Sequence, residues 1–439
     1  MKRLVILVSV VALHGQAHAQ GVADYATPAP REIEPNDAVN PVSEVNGNGV
    51  KIGEATSLYP QVGLETGYIS NVFYTNQNPT GAALLRVIIA AGIGSREDAR
   101  SQPTSTAPSS ANMEAGAVQF NANAYATYDQ YLSGNSDVDA QGGLGGGVLL
   151  RALVNPQRPL QFWAIENFNR VIRATNFESA HDTNRDIDTL QLRLTYQPTG
   201  RSIGGYLYYS GLLDLFEEQD QRFGDRFDNT LGLRVNYRVL PLTEIYADVS
   251  EGAFTGVGDS YTKVTSFPFA AVAGVNTYLT VKLLLIGRLG YQKGFYQSGP
   301  DYSNVLGGAM LQYVYSPTGK ITGMYDYIHT DSINANFYRD HSFQLWLEQE
   351  VPPFLVYVAP QVRLREYDGI TAVMGPPTRD DTIVAVWAGV RYSFRQWLVG
   401  TLEYRLTSDQ TDYRYNPGGG LMDPSYVRHE ILLGVRAAY

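Results

Sequence analysis

The last ten residues alternate between apolar and other side chains, and the chain ends on an aromatic residue. The apolar phase consists of Ile431, Leu433, Val435, Ala437 and Tyr439. The opposite phase contains Glu430 and Arg436. A period of two is typical of a β-strand with one apolar face, so this pattern predicts a strand that continues to the chain terminus.

Strand-like segments with the same alternation recur from Leu58 onward, and turn residues separate them. Clear examples are Val118–Asp129, Thr230–Arg238 and Leu398–Thr407. The connections alternate in length. One set is short: Pro198–Gly200, Leu240–Leu242, Thr280–Val281, Pro317–Gly319, Pro352–Pro353 and Arg395–Gln396. The other set is long and polar: Thr175–Asp186, Asp214–Asp228, Thr255–Thr265, Tyr296–Ser303, Thr330–Arg339, Tyr367–Asp381 and Ser408–Ser425.

Short turns that alternate with long loops indicate an outer-membrane β-barrel, with the short turns in the periplasm. We expect an all-β, transmembrane, antiparallel up-and-down barrel of about 18 strands (16 to 18), which places both termini in the periplasm. The connection Gly94–Ala115 departs from the rule, because it is long but falls on the periplasmic side. A soluble sandwich or propeller also alternates, but it requires neither a terminal aromatic strand nor this alternation of connection lengths.

The N-terminus has the three parts of a secretory signal peptide. Lys2 and Arg3 precede the apolar run Leu4–Leu13, and an Ala-x-Ala site ends at Ala19. We predict cleavage after Ala19, and therefore residues 1–19 as the signal peptide. Residues 20–57 are rich in Pro, Asn, Glu and Gly and predict a flexible periplasmic segment, and residues 58–439 form the barrel. The mature protein is expected in the bacterial outer membrane.

Composition narrows the class of protein further. The chain has no cysteine, which excludes disulfides and thiolate metal sites. Its formal charge is −10, and it becomes −12 without the signal peptide, which argues against nucleic acid as a partner. No mature segment reaches the roughly 18 apolar residues of a membrane helix. The 31 tyrosines and 43 glycines fit aromatic girdles and closely packed strands.

The polar phases of the strands supply candidates for the lining of a water-filled lumen, which barrels of 16–18 strands leave open. These candidates are Arg234, Asp248, Arg288, Glu348, Arg363, Arg365, Arg391, Glu403 and Arg405. The densest group lies on three consecutive strands near the C-terminus. Two hypotheses stay open for it: a cationic wall that selects anionic solutes or uronate-bearing sugars, or a cross-strand ladder of Arg–Glu pairs that rigidifies the wall.

Tyrosines form a second group of candidates. Tyr325, Tyr327 and Tyr404 fall on the apolar phase, which favours a belt at the membrane interface. Tyr246 and Tyr357 fall on the polar phase and are candidates for a path on which sugars stack.

Signals for catalysis or metal binding are weak. The acidic clusters of the long loops, such as Asp380–Asp381, are interpreted as solvated. The four histidines of the mature chain have no metal-ligand spacing, and no Gly-x-Ser-x-Gly elbow occurs. We therefore expect no enzyme, no cofactor and no metal site.

The segment Tyr68–Thr75, with Pro60 and Leu64 before it, resembles the opening strand of the β-barrel porin 2 family, which carries a Tyr-x-x-Asn-Val-Phe-like run. The resemblance implies a conduit for exopolysaccharide export, with polysaccharide and periplasmic export proteins as partners. A general diffusion porin for small solutes and a structural or adhesive barrel with a closed lumen remain as alternatives. In each case outer-membrane lipid, lipopolysaccharide and the barrel insertion machinery are expected partners, and the apolar phase that ends at Tyr439 is the expected insertion signal.

Overall fold

Eighteen antiparallel strands close into a β-barrel in the computed structural model of this chain. The structure describes residues 45, 47–53, 56–95, 117–156, 158–172, 184–198, 200–219, 222–258, 263–333, 335–370, 376–416 and 422–439. The predicted signal peptide, its cleavage site and most of the predicted flexible segment lie outside these residues.

A two-residue strand, β1 (Val50–Lys51), precedes the barrel and pairs with the start of the first barrel strand. The barrel strands are β2 (Ser57–Ile69), β3 (Ala82–Gly94), β4 (Val118–Leu132), β5 (Gly143–Val154), β6 (Leu160–Val171), β7 (Arg185–Tyr196), β8 (Ile203–Phe216), β9 (Arg226–Leu240), β10 (Thr243–Gly256), β11 (Ser266–Thr280), β12 (Leu283–Tyr296), β13 (Tyr302–Ser316), β14 (Gly319–Asp331), β15 (Phe337–Val351), β16 (Phe354–Asp368), β17 (Thr378–Arg395), β18 (Leu398–Thr411) and β19 (Tyr426–Ala438). A four-residue helix, α1 (Ser136–Asp139), lies between β4 and β5.

The last strand closes the barrel against the first. Each barrel strand pairs with the next along the chain, and β19 pairs with β2 from Glu430 opposite Ile69 to Ala438 opposite Gln61. The backbone amide of Tyr439 extends this seam by donating to the carbonyl oxygen of Pro60 at 3.0 Å. The predicted fold class, an antiparallel up-and-down barrel of 18 strands, is confirmed.

Side chains on successive residues point to opposite faces of each strand, and the two faces differ sharply in chemistry. On β19, Ile431, Leu433 and Val435 are 50–58% exposed on the outside, whereas Glu430 and Arg436 are each 4% exposed on the inside. The other strands repeat this arrangement with local exceptions, so that an apolar outer surface encircles an interior in which polar and charged side chains predominate. This is the arrangement of a transmembrane barrel, because the outer surface faces acyl chains.

Connections of very different length lie at the two ends of the barrel. The turn end carries the chain terminus and five two-residue turns, which consist of residues 241–242, 281–282, 317–318, 352–353 and 396–397. The loop end carries the remaining long connections, such as 70–81, 369–377 and 412–425. The connection that departed from the length rule, 95–117, lies at the turn end as parity required, and most of it falls outside the described residues.

Several strands extend further toward the loop end than the sequence predicts. The loops predicted at Tyr296–Ser303 and Thr330–Arg339 shrink to 297–301 and 332–336. The ladder continues into them because polar residues that alternate at a strand end still pair through their backbones. At 12–18 residues, the strands exceed the roughly 9–11 residues that cross a bilayer, so their ends project beyond it.

The opening strand is shorter than predicted. Strand β2 ends at Ile69, and Asn71–Thr75 turns into the β2–β3 loop instead of continuing the strand. The physical reason is the side chain of Asn71, which donates to the carbonyl oxygens of Thr75 at 2.8 Å and Val427 at 3.1 Å. These bonds form a turn and attach it to β19. The second half of the Tyr68–Thr75 segment therefore joins β2 to β19 instead of lengthening β2.

The described part of the N-terminal segment packs at the turn end. Val45 is 2% exposed and forms an apolar cluster with Val399 and Ala438, both on the inner face of the wall. Gly47 follows against the backbone of Tyr439, where a β-carbon would collide.

No helix in the described ranges is both long enough and apolar enough to cross a membrane.

Candidate functional site in the barrel interior

All nine predicted lining residues lie on the inward phase of their strands. Six of them are buried at 9% exposure or less: Arg234, Asp248, Arg363, Arg365, Glu403 and Arg405. Arg288, Glu348 and Arg391 are partly buried. Low exposure on an inner face means that these side chains lie against the wall and against one another, rather than extending freely into the lumen.

An ion-pair network runs along the inner face of β2, β3, β4 and β19. Arg86 binds both oxygens of Asp129, at 2.7 and 2.8 Å, and also approaches Glu65 at 3.3 Å. Glu65 in turn accepts from Arg436 at 2.7 Å, across the seam between β2 and β19. All four side chains are 0–4% exposed, so each charge is compensated by a neighbour in place of water.

The network continues on β15 to β18 with the predicted group. Arg365 binds both oxygens of Asp340 at 2.7 Å, and Arg405 donates to Glu403 at 3.3 Å. Of the two hypotheses for this group, the geometry is that of paired charges. Asp340, the partner of Arg365, lies on the neighbouring strand β15 and could not be assigned from the sequence, whereas Glu403 lies on the same strand as Arg405.

The prediction of a solvated loop is wrong for Asp381. Asp381 belongs to β17, is 4% exposed and accepts from Arg379 at 2.7 Å, while Arg379 also donates to Asp409 at 3.3 Å. The signal that could have found it is the alternation Asp381, Ile383 and Ala385, which continues the inward phase of β17 toward the loop end.

A different arrangement, which we call the arginine–tyrosine row, covers β7 to β10. It consists of Arg193, Tyr206, Arg234 and Tyr246. The guanidinium of Arg193 lies 3.7 Å from the ring centre of Tyr206, and that of Arg234 lies 4.0 Å from the ring centre of Tyr246. Arg234 also pairs with Asp248 at 3.0 Å. Stacking on a ring compensates a cation through the quadrupole of the ring and leaves its N–H groups at the edge.

Glycine on the next strand allows this row to lie flat. Gly274 of β11 is opposite Tyr246 in the ladder, and a β-carbon there would run into the tyrosine ring. Tyr246 is therefore only 5% exposed. The structure does not support a sugar path along Tyr246 and Tyr357, because neighbouring side chains cover both rings.

Three aromatic side chains form what we call the aromatic step, on the inner face of β15 to β17. The indole of Trp346 stacks on Tyr357 with ring centres 5.2 Å apart and an interplanar angle of 5°. Trp387 meets both rings edge-on, at 5.8 and 5.4 Å. Tyr357 and Trp387 are 0% and 2% exposed, whereas Trp346 is only partly buried. Trp346 is therefore the member of the step that the lumen can reach.

An apolar patch adjoins the aromatic step on β12 to β14. Leu284, Ile286 and Met310 are buried on the inner face, with Met324 packed against them. The interior thus combines charged and apolar sectors, whereas the sequence predicted mixed charge alone.

The connection between β14 and β15, residues 332–336, folds over the mouth at the loop end. Lys263 of the β10–β11 loop donates to the carbonyl oxygen of Asn336 at 2.8 Å, and the side-chain amide of Asn336 donates to the carbonyl oxygen of Ser298 at 2.9 Å. Ile333 lies against Gly224, in the β8–β9 connection six strands away. A tip that contacts such distant connections must reach inward, which narrows the mouth.

A second set of contacts joins two loops at the same end. Asp423, between β18 and β19, accepts from Asn76 of the β2–β3 loop, from the backbone amide of Ser425 at 3.0 Å and from Arg414 at 2.9 Å. Burial opposes ionisation of this carboxyl, but the hydrogen bonds from Ser425 and the charge of Arg414 outweigh it and lower the pKa of Asp423.

The predicted belt tyrosines lie on the outer face. Tyr325 bonds His341 and Tyr404 bonds His429, each between the phenol oxygen and Nδ1 at 2.9 Å. The residues of the predicted insertion signal also face outward, and Tyr439 is 66% exposed.

Comparison with known proteins gives remote structural matches only. No family model matches the chain, and no curated protein matches it. A crystal structure of OpdK from Pseudomonas aeruginosa with vanillate has a TM-score of 0.46 at 8% identity and covers 87% of this chain and 99% of its own. OccAB4 of Acinetobacter baumannii has a TM-score of 0.44 at 9% identity, over 91% and 100%. OccK2 (OpdF) of P. aeruginosa in complex with glucuronate gives 0.44 at 10%, over 87% and 97%. Identities and scores this low give no grounds for assigning the functions of these proteins to this chain.

Proposed function

We propose that this chain forms a passive hydrophilic channel for small solutes across the bacterial outer membrane. The observation that carries the proposal is the chemistry of the two faces of a closed 18-strand barrel, apolar outside and polar inside. A barrel with this many strands has room for an aqueous path inside its wall. Transport through it requires no catalytic residue, since the driving force is the solute gradient.

Small solutes suit the mouth better than a polymer does. The 332–336 tip crosses the loop end and is anchored through Lys263 and Asn336, so a passing chain of sugars would have to displace it. The polysaccharide cargo rests on the family resemblance alone. The general diffusion porin is therefore the alternative that we adopt.

The pairing of charges predicts weak ion selectivity. Arg365 and Arg405 each have an acidic neighbour within 3.3 Å, and the Arg86 group is compensated in the same way. A wall of compensated pairs presents dipoles to a passing ion rather than a net field. We expect both K⁺ and Cl⁻ to pass.

Reconstitution of the mature protein in planar lipid bilayers tests the proposal. We expect stepwise conductance in KCl, and swelling of proteoliposomes in glucose or glycine but not in dextran of 10 kDa or more. Absence of conductance would support the closed structural barrel. Passage of dextran at the rate of glucose would support the polysaccharide conduit instead. Either result would overturn the small-solute channel.

We further propose that the outward residues ending at Tyr439 are read by the barrel insertion machinery. Deletion of Tyr439 removes the exposed terminal ring. It also removes the backbone amide that donates to the carbonyl oxygen of Pro60. We expect secretion to the periplasm to continue and the fraction of heat-modifiable, membrane-inserted protein to fall severalfold. Normal amounts of folded protein in the membrane would contradict this role, and Trp397→Leu at the same end provides a control for loss of an exposed ring.

A further inference from the structure

We propose that Trp346, Glu348 and Lys320 form a binding site for a pyranose ring on the inner wall of the barrel. The inference deepens the proposed channel function and rests on it, because it names a class of solute that the wall would hold in transit. It concerns residues near the turn end of β14 and β15, where the aromatic step meets the apolar patch.

The platform of the site is the indole of Trp346. One ring system, Tyr357, stacks parallel to it at 5.2 Å, and Trp387 supports both from the side. Since Tyr357 and Trp387 are buried completely or nearly so, the indole is held at a fixed angle on a rigid base. Trp346 keeps part of its surface accessible, and that surface belongs to the lumen because β15 presents its even-numbered residues inward.

The polar edge of the site is the carboxylate of Glu348. Its Oε2 atom accepts from the indole N–H of Trp346 at 3.3 Å and pairs with Lys320 at 3.2 Å. Both contacts use the same oxygen, so Oε1 is left to accept from a ligand hydroxyl. The Glu348 and Lys320 side chains are 26% and 41% exposed, which makes them accessible to a solute.

This combination matches a sugar ring in particular. A pyranose has one face of C–H groups that packs on an indole, and a rim of hydroxyl donors that a carboxylate accepts. Thr322, opposite Trp346 in the ladder, and Met324 extend the surface with a hydroxyl and an apolar contact. An aromatic carboxylate would also stack and could pair with Lys320, but it has no rim of hydroxyl donors for the Glu348 carboxylate to accept from. A neutral hexose is therefore the ligand that we assign to the site.

The test measures block of single-channel KCl current by glucose and maltose. We expect Trp346→Leu to weaken the block about tenfold, because it removes a stacking contact of roughly 1.4 kcal/mol. Glu348→Gln keeps an oxygen acceptor but loses the charge, and we expect a block several times weaker. Trp397→Leu replaces an exposed ring in the β17–β18 turn and is the matched control. Glucose and maltose should block the current through this variant as strongly as through the parent.

Tryptophan emission gives a second, independent measurement on the purified barrel in detergent micelles. Glucose should change the emission of the parent and of Trp397→Leu, but not that of Trp346→Leu. Unchanged emission and no current block in the parent would overturn the sugar site while leaving KCl conductance, and hence the channel, intact. Block by benzoate in place of glucose would overturn the assigned class. Absence of KCl conductance would count against the channel, and the emission titration would still decide whether the sugar binds.

Discussion

Two regions of the inner wall compensate the same cation, arginine, by different means. In the ion-pair network of β15–β19 and β2–β4, Arg86 and Arg365 each bind two oxygens of a buried aspartate. In the arginine–tyrosine row of β7–β10, Arg193 and Arg234 lie over tyrosine rings, and Arg234 pairs with Asp248 as well. A carboxylate pair forms a strong, directional bond with full charges on both sides, whereas a ring supplies a weaker attraction and no charge.

The comparison shows that the number of arginines in a wall does not determine how strongly its stability depends on their partners. Removal of an acid from the network leaves a buried cation without its counter-charge, which is costly. Removal of a ring from the row leaves the charge balance unaltered and costs packing and polarisation only. The two regions should therefore respond to substitution on different scales, and the four predictions below follow that scale downward.

The largest effect is expected for Asp129→Asn. The carboxylate is fully buried and holds Arg86 through two bonds. Without it, Arg86 would have only the carboxylate of Glu65 as a counter-charge, and Arg436 already binds that carboxylate. We expect the free energy of unfolding to fall by about 3 kcal/mol. Urea unfolding in lipid vesicles, followed by electrophoretic mobility, measures it. Asp380→Asn, an exposed neighbour of the network, should change nothing; equal losses in both variants would remove the distinction between paired and solvated acids.

The second prediction concerns permeation and uses Arg365→Gln. Loss of the cation leaves Asp340 uncompensated on the wall, and we expect the cation-to-anion permeability ratio to rise about twofold. The double variant Arg365→Gln with Asp340→Asn should return most of the way to the parent value. Reversal potentials in a KCl gradient measure both.

Arg339→Gln is the control for this experiment, because Arg339 pairs with Glu366 on the outer face. An unchanged reversal potential in Arg365→Gln would show that the network is remote from the path of ions, and a shift in Arg339→Gln would point to an effect of overall charge.

The third prediction tests the row through Tyr206→Leu. The ring lies 3.7 Å from the guanidinium of Arg193 and 5.4 Å from that of Arg234, so two stacked cations lose one partner. We expect a loss of about 1 kcal/mol in the free energy of unfolding. Tyr206→Phe keeps the ring and should retain nearly all of the parent's free energy of unfolding. A loss as large as that of Asp129→Asn would erase the contrast between the two regions.

The smallest effect is expected outside the barrel wall, at Asp423. Its folded pKa lies below the ordinary value, so its contribution is fully present above about pH 5 and is lost as the pH falls through the folded pKa. The pair with Arg414 is partly exposed and should contribute only about 0.5 kcal/mol. Hydrogen exchange of residues 70–81 should be faster in Asp423→Asn than in the parent at pH 7, and the difference should shrink as the pH falls below about 4 toward the folded pKa. A difference that stays constant as the pH falls through this range and below it would exclude a role of the charge.

The faces of the strands could be predicted from the sequence, whereas the partners across strands could not. Period-two alternation placed Arg234, Glu348 and Arg405 on the inner face without knowledge of any contact. The partner of Arg365, however, is Asp340, which depends on the register between β15 and β16. Register is set by turn geometry and packing, so the strand pattern alone leaves it open.

Two kinds of segment escaped prediction for local reasons. Asn71–Thr75 has the composition of a strand, but a side-chain hydrogen bond from Asn71 diverts it into a turn. Trp346 and Trp387 face inward among the predicted charges, and their alternation looks the same as that of an outward girdle. A pattern of aromatic residues shows which residues share a face, and only the closed barrel shows which face is inside.

The seam between β19 and β2 has a consequence for how the molecule can be made. Other neighbouring pairs in the barrel join strands that follow each other in the chain, whereas Arg436 and Glu65 meet across a separation of 371 residues. Hairpins can therefore form one after another as synthesis and export proceed, but closure must wait for the final strand. Until then the sheet has two open edges and the Glu65 carboxylate lacks Arg436. Formation of β19 thus acts as the trigger for sealing, and a chain cut within β19 would leave an open sheet in place of a smaller pore.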